Sequence, residues 1–394
     1  MATATLSYSS TQSEARQAAQ QYLNSRLANG AASKLQKPFT VPEINIASSF
    51  SSSLEDRKAV AAQIHEACTN SGFFHITGHG IPEQTRTAIL ALAKRFCKEL
   101  PQEKKEALHV KNSNYFRGWE PADFSYVNPG DWSVEDAAPE TKEGFNSNSY
   151  RGYEAGLDPA GGDGEYRELD GADVNGNVWP SEDDIPGFYG KYQIQSSWLR
   201  QYANRGIETI KDYYGQVLNL ARHLFRLFAL SLDLPENHFE DMMTHPGGIA
   251  RLLYYPAPKN PQPLDPKQKD KEIGLGAHSD YECFTILLCS SASGLEILSP
   301  DDTWVPAPAV DGSFIINVAD FLMRWTNGVY KSTVHRVVNR TRNERYSVPF
   351  FFSINYDQMV ETLPSCVSAE NPSKYPPIRA GEYVLERLRA TANE

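Results

Sequence analysis

Apolar residues recur along this chain with two periods. Over residues 207–230, Ile207, Ile210, Tyr214, Val217, Ala221, Leu224 and Phe228 return at steps of three and four, while Lys211, Asp212, Arg222 and Arg226 take the remaining surface. That spacing predicts a long amphipathic helix, ended by Asp233-Leu234-Pro235. Its stripe suits a helix covering one face of a core sheet; a dimer contact is the other use of such a face. Shorter helices are predicted over 55–68 (Val60, Ile64, Ala67), 87–100 (Ile89, Leu92, Ala93, Phe96) and 381–391 (Tyr383, Val384, Leu385, Leu388). Ser71-Gly72 stops the first of these, and short strands are expected at 41–46 and 73–76. From Ile249 the pattern changes to short strands broken by turn residues: 250–255, 278–289, 294–297, 314–318, 332–338 and 347–354. Several antiparallel strands at such intervals predict a sandwich or jelly roll, so the fold class is α+β.

Composition narrows the class. With 394 residues, 40% hydrophobic and 22% charged, the chain has the make-up of a globular protein with an ample core. The net charge of −11 argues against a nucleic-acid partner, which would call for a basic patch. No run of about 18 apolar residues predicts a membrane span. Cys68, Cys97, Cys283, Cys289 and Cys366 are odd in number and scattered, which favours reduced thiols and a cytoplasmic protein. Residues 1–38 read as an N-terminal extension with a helical stretch near 13–27. Arg16, Arg26 and Lys34 leave a mitochondrial transit segment as the alternative there, and no C-terminal peroxisomal signal is read. Residues 146–190, dense in Gly, Asp and Pro, read as a loop insertion between a helical and strand region (39–145) and the long helical region (191–245). Asp173-Val174-Asn175-Gly176 has part of a calcium-loop pattern. Gly171 falls where the first ligand should be, so calcium binding is rejected. His75 and His79 read as structural histidines.

The candidate chemistry lies in the strand-rich part. His278 and Asp280 stand two apart in a predicted strand, so their side chains project from one face. His335, on another predicted strand 55 residues after Asp280, could be brought opposite them. Two imidazoles and one carboxylate capping one face of a metal, with other positions open, is the set used by non-haem Fe(II) oxygenases. Arg345 and Ser347 are again two apart, and a guanidinium fork beside a hydroxyl suits a carboxylate.

His278-x-Asp280, His335 and Arg345-x-Ser347, in this order and spacing, resemble the signature of the Fe(II)/2-oxoglutarate-dependent oxygenases, in particular the isopenicillin N synthase-like branch. Gly72-Phe73-Phe74-His75-Ile76-Thr77-Gly78-His79-Gly80-Ile81 resembles that branch's N-terminal motif, and Leu252-Leu253-Tyr254-Tyr255-Pro256 the strand before its metal site. The similarity runs from about residue 41 to 389. Leu253, where many relatives carry a polar residue, and Ala319-Asp320, in place of Gly-Asp, depart from the pattern without touching the metal set.

The resemblance implies a double-stranded β-helix (jelly-roll) core over 246–358, flanked by helices, with 359–394 giving a closing helix. It implies Fe(II) held by His278, Asp280 and His335. It also implies 2-oxoglutarate held at its distal carboxylate by Arg345 and Ser347 with help from Tyr255, and O2 as the second co-substrate. The implied function is oxidation of a C–H bond in a small organic molecule, of the kind made in specialised metabolism, by hydroxylation or else desaturation or ring formation. Arg251, Phe284, Phe352, Asn355, Tyr115 and Arg117 are the candidate substrate residues. Of these, Phe284 and Phe352 could equally be plain core, and the loop holding Tyr115 and Arg117 a packed surface loop. Arg251 could meet a substrate carboxylate, pair with a buried acid or sit at an exposed strand end. The alternatives are an oxidase like isopenicillin N synthase, which needs no 2-oxoglutarate, and a non-catalytic binding protein of the same fold.

Overall fold

The computed structural model describes residues 38–113, 117–122, 124, 140–147, 157–163, 177–188, 209–263, 270 and 272–391, with Gln17, Gln20, Gln21 and Asn24 in helical conformation. Tyr115 and the turn at Asp173-Val174-Asn175-Gly176 lie outside the described residues.

In chain order the elements are β1 (Glu43–Asn45), α1 (Leu54–Asn70), β2 (Phe73–Thr77), α2 (Glu83–Glu99), α3 (Gln102–Ala107), β3 (Gly118–Glu120), β4 (Glu143–Ser147) and α4 (Thr209–Ser231). The strand-rich part follows: β5 (Gly248–Tyr255), β6 (Leu275–His278), β7 (Phe284–Cys289), β8 (Leu295–Leu298), β9 (Trp304–Pro306) and β10 (Phe314–Val318). The chain closes with α5 (Asp320–Trp325), β11 (His335–Val337), β12 (Arg345–Phe352), β13 (Met359–Val360), β14 (Ile378–Arg379) and α6 (Ala380–Thr391).

From β5 to β12 the chain passes back and forth between two sheets, which makes the jelly roll. One sheet runs β1-β2-β10-β7-β12-β5-β4-β3 and the other β6-β11-β8-β9. Period-two alternation sorts the large sheet's side chains. Leu252, Phe284, Ile286, Leu288, Val348, Phe350 and Phe352 face the helices. Leu253, Tyr255, Leu287 and Ile315 face the smaller sheet, where they meet Leu295, Ile297 and Val337.

The long helix α4 covers the helix side, as its apolar stripe predicts. Phe225 and Phe228 pack on Phe284 at ring-centroid distances of 5.9 and 5.1 Å, each such burial contributing about 1.5–3 kcal/mol. The Tyr213 and Tyr214 hydroxyls donate to the Val348 and Gly248 carbonyls, which ties the helix to β12 and β5. Arg222, expected at the surface, forms a two-pronged ion pair with buried Asp158 at 2.7 Å. The described part of 146–190 is therefore docked, and Phe188 also packs on Phe96 and Phe145.

Helix α1 starts at Ser53, whose hydroxyl accepts from the Asp56 N–H, with Glu55 and Asp56 in the first turn. It stops at Gly72, whose φ of +71° and closeness to the Lys331 carbonyl leave no room for a side chain.

One strand expectation fails. The predicted 278–289 strand is two strands in different sheets, β6 and β7, because residues 279–283 carry the chain across the sandwich. Backbone bonds pin this crossing: Asp320 N–H to the Asp280 carbonyl, Phe321 N–H to Glu282, and Cys283 N–H to Phe352. Short α3, α5, β3, β4, β9, β13 and β14 span too few residues to show a period, and the sequence reading missed them.

Candidate active site

A cavity opens between the two sheets, and its lining includes His278, Asp280 and His335. His278 closes β6 and His335 opens β11, and the two are paired across the ladder. Asp280 reaches them from the crossing segment, so strand alternation is not what brings the pair together. One donor atom from each residue lies within 4.8 Å of the others, the sole such cluster among the described residues. Both Nε2 atoms converge on Asp280 Oδ1, at 3.5 Å from His278 and 3.7 Å from His335.

The groups behind the three residues fix their directions. His278 Nδ1 donates to the Gly276 carbonyl at 2.8 Å and His335 Nδ1 to the Thr333 carbonyl at 3.1 Å, which turns both Nε2 lone pairs inward. Asp280 Oδ2 accepts from Asn317 Nδ2 at 2.7 Å and from the Thr285 hydroxyl, leaving Oδ1 for the shared point. Asn317 and Thr285 are cross-strand partners on β10 and β7. Burial alone would raise the Asp280 carboxyl, but the His335 and His278 imidazoles and the Thr285 hydroxyl hold it well below the usual carboxylate range. Burial and the neighbouring His278 ring push the His335 imidazole down to about 4. An ionised carboxylate beside imidazole lone pairs is the protonation state a divalent cation requires, so this donor set fits Fe(II).

Farther in, Arg345 is 1% exposed. Its guanidinium lies 4.8 Å from the Tyr255 ring centroid and donates to Ser347 Oγ and Cys289 Sγ, both at 3.2 Å. Its Nε has no partner, and no carboxylate pairs with it among the described residues. Its stem passes Gly294, where a β-carbon would stand 3.2 Å from Arg345 Cδ. A buried guanidinium is costly without an anion, so this end is fitted to a carboxylate from outside the chain.

Along the same sheet, on β5, β4 and β3, the charges are neutralised internally. Arg251 donates to Asn146 Oδ1 at 2.6 Å and to Glu120 Oε2 at 2.8 Å, which settles its three-way choice in favour of a buried acid. Glu120 also pairs with Lys142 at 3.1 Å, and Lys142 with Glu140 at 3.0 Å. Glu140 in turn accepts the Gly276 N–H at 2.9 Å. Burial would depress the Lys142 ammonium, but the Glu140 and Glu120 carboxylates overcome it and hold the group charged. Glu282, 3% exposed, also lines the cavity. Tyr356 donates to its Oε1 at 3.0 Å, and its Oε2 has no partner among the described residues. Burial pushes this carboxyl up to about 8, against the pull of the Tyr356 hydroxyl.

Of the sequence candidates, His278, Asp280, His335, Arg345, Ser347, Tyr255 and Arg251 line the cavity. Phe284 and Phe352 do not: alternation turns them to the helix side, and their neighbours Thr285 and Phe351 line it instead. Asn355 binds the His245 N–H and Thr244 Oγ1, bracing the segment after α4. Arg117 is buried but is not among the described lining residues. His75 and His79 are structural, bonded to Ser313 Oγ and the Gly312 carbonyl. Sequence reasoning missed Thr285, Asn317, Glu120, Asn146, Lys142, Glu140 and Glu282. Only Thr285, on the face opposite Phe284 and Ile286, and Glu282, two past Asp280, had a positional signal.

The 2OG-Fe(II) oxygenase superfamily model matches residues 246–354. The model for the non-haem dioxygenase in morphine synthesis N-terminal region matches 41–182. The chain is 35% identical over 327 residues to the 2-oxoglutarate-Fe(II) type oxidoreductase hxnY of Emericella nidulans, covering 82% of each protein. It is 32% identical over 361 residues to the 2-oxoglutarate-Fe(II) type oxidoreductase ppzC of Metarhizium majus, covering 89% of this chain and 87% of that one. A solved 2OG-Fe(II) oxygenase family protein from Caulobacter crescentus superposes with a TM-score of 0.67 at 27% identity, over 89% of this chain and 99% of that one. A full-length Neurospora crassa protein solved in complex with alpha-KG shares the fold, with a TM-score of 0.67 at 23% identity, over 90% of this chain and 98% of that one. No described helix is long and apolar enough to cross a membrane. With this much of the chain matched and a donor set that fits the metal, the protein belongs to the 2OG-Fe(II) oxygenase superfamily and is a dioxygenase that works with Fe(II), 2-oxoglutarate and O2.

Proposed function

We propose that His278, Asp280 and His335 hold Fe(II), that Arg345 and Ser347 receive the distal carboxylate of 2-oxoglutarate beside the Tyr255 ring, and that the enzyme hydroxylates a C–H bond of a small organic molecule in specialised metabolism. The observation that carries this reading is the pairing of two incomplete sites in one cavity: three converging donors with no fourth protein ligand among the described residues, and a buried guanidinium with no anion. Fe(II) with 2-oxoglutarate and O2 supplies the oxidising power, 2-oxoglutarate leaving as succinate and CO2.

The chain's own residues do the remaining work. The Gly276 and Thr333 carbonyls hold both imidazoles as inward-facing acceptors. Thr285 and Asn317 keep Asp280 from swinging away. Leu253, Leu275, Leu287, Leu295 and Val337 make the inner walls apolar and exclude water from the reacting centre. Val384 and Leu388 of α6 close the side on which a substrate would lie. The five free thiols suit a reducing compartment, which supports a cytoplasmic enzyme, and the charge of −11 speaks against nucleic acid as partner.

The test is anaerobic reconstitution with Fe(II) and 2-oxoglutarate, followed by admission of O2. The expected result is a charge-transfer absorption before O2 and slow succinate formation after it, both lost in His278→Ala. Bound iron without 2-oxoglutarate binding or succinate would overturn the assignment of Arg345 and Ser347.

A further inference from the structure

Among the described residues lining the cavity, two carry a buried polar atom with no partner: Arg345 Nε and Glu282 Oε2. The charges around the cavity sort accordingly. Glu120 and Arg251 pair with each other across β3 and β5. Asp280 faces the two imidazoles, and Arg345 faces the place of the co-substrate carboxylate. Glu282 is left over, and nothing in the known cofactor set offers it a donor.

Glu282 is also held in place. Its backbone carbonyl accepts the Phe321 N–H at 2.9 Å, and its Oε1 accepts the Tyr356 hydroxyl at 3.0 Å. Tyr356 itself is 2% exposed and lies so close to Gly247 that a β-carbon there would stand 2.4 Å from its ring. A carboxyl fixed in this way cannot turn to solvent, so its free oxygen is a standing hydrogen-bonding position in the cavity lining.

Given the proposed oxygenase reading on which this rests, we propose that Glu282 is the specificity-determining residue of the cavity: its Oε2 accepts an N–H hydrogen bond from a substrate carrying a basic nitrogen. An alcohol would fill that position alone, whereas a protonated amine or amidine-like N–H fills it and also matches the negative charge the group carries when ionised. A carboxylate substrate is disfavoured twice over, because Arg251 is already engaged by Glu120 and Asn146.

The test uses the reconstituted holoenzyme with matched sets of small compounds: basic amines and N–H heterocycles, their carbocyclic isosteres, the corresponding alcohols, and carboxylic acids. Substrate-stimulated succinate formation gives kcat/KM for each, and perturbation of the charge-transfer absorption under anaerobic conditions gives binding without turnover. The wild-type enzyme should prefer the basic nitrogen member of each set over its isostere, on the order of 10- to 100-fold, the range of a charge-assisted hydrogen bond. In Glu282→Gln that preference should collapse toward unity through KM rather than kcat. Tyr356→Phe, which frees Oε1, should weaken it in the same direction and serves if the first variant does not fold. A preference for acids, alcohols or carbocycles, or one that survives Glu282→Gln, overturns the proposal. Absence of any succinate from the wild-type protein would instead overturn the oxygenase reading beneath it.

Discussion

Two groups of residues around the cavity treat buried charge in opposite ways. On the Arg251 side, Arg251, Glu120, Lys142 and Glu140 form an alternating chain of two cations and two anions, and Glu140 ends it on the Gly276 N–H. In the other group, which includes Arg345, three donors converge on one point, and a guanidinium 1% exposed has hydroxyl, thiol and aromatic neighbours but no anion among the described residues. The first group is complete as folded; the second is completed by ligands. A buried charge matched within the chain supports the fold, whereas one left unmatched marks a place where a ligand contributes the missing half.

The largest effect that would break this comparison is at the metal end. Asp280→Ala removes the carboxylate on which both imidazoles converge. The purified variant should retain no stoichiometric iron and form succinate only at the background rate, with an unfolding transition close to that of the metal-free wild type. Iron retained at full occupancy would mean that the three residues are not the ligand set.

The next two effects are read together, because each replaces one buried cation with methionine. Lys142→Met leaves Glu140 and Glu120 facing each other without their shared ammonium, and should lower the unfolding free energy by about 3–5 kcal/mol. Arg345→Met removes a cation that has no anion among the described residues, so its stability without 2-oxoglutarate should hold or rise. Its KM for 2-oxoglutarate should rise by roughly 30-fold or more, the loss that follows when one partner of a buried charge pair is truncated. Chemical denaturation of both variants with and without 2-oxoglutarate gives the four values needed. If Arg345→Met proved as destabilised as Lys142→Met, the distinction between matched and unmatched groups would fail.

The same contrast explains what was legible in the sequence. The unmatched groups sit at fixed short spacings, His278-x-Asp280 and Arg345-x-Ser347, because one ligand must be met by neighbouring side chains; such spacing survives as a motif. The matched network is assembled from β3, β4 with the residues before it, β5 and β6, so no local pattern joins Glu120 to Lys142 or Arg251. Helix α4 was legible because its stripe runs through 23 residues, while three-residue β3 and β9 offer no period to read. Assigning Phe284 and Phe352 to the cavity went wrong by a single residue, since a shift of one turns a strand's side chains to the opposite face. Reading 278–289 as one strand went wrong because alternation in isolation cannot show where a chain changes sheets.

The smallest effect tests whether the unmatched group is tuned from behind. Asn317 stands opposite Thr285 in the β10–β7 ladder, and both donate to Asp280 Oδ2, so Oδ1 alone is left facing the two imidazoles. In Asn317→Ala the Thr285 hydroxyl remains, so Asp280 keeps one of its two anchors and the carboxylate gains freedom to turn. Iron affinity should fall by roughly 10- to 100-fold, the range for losing an orienting group behind a ligand. Turnover at saturating iron should stay within a few-fold of wild type, since the same three donors still meet the metal. Because Asn317 is 2% exposed, Asn317→Asp is the informative companion: it matches the shape but sets a second carboxylate against Asp280. That variant should bind iron more weakly than Asn317→Ala. The reverse order would mean that Asn317 fills space behind the site and that its hydrogen bond does not direct the carboxylate.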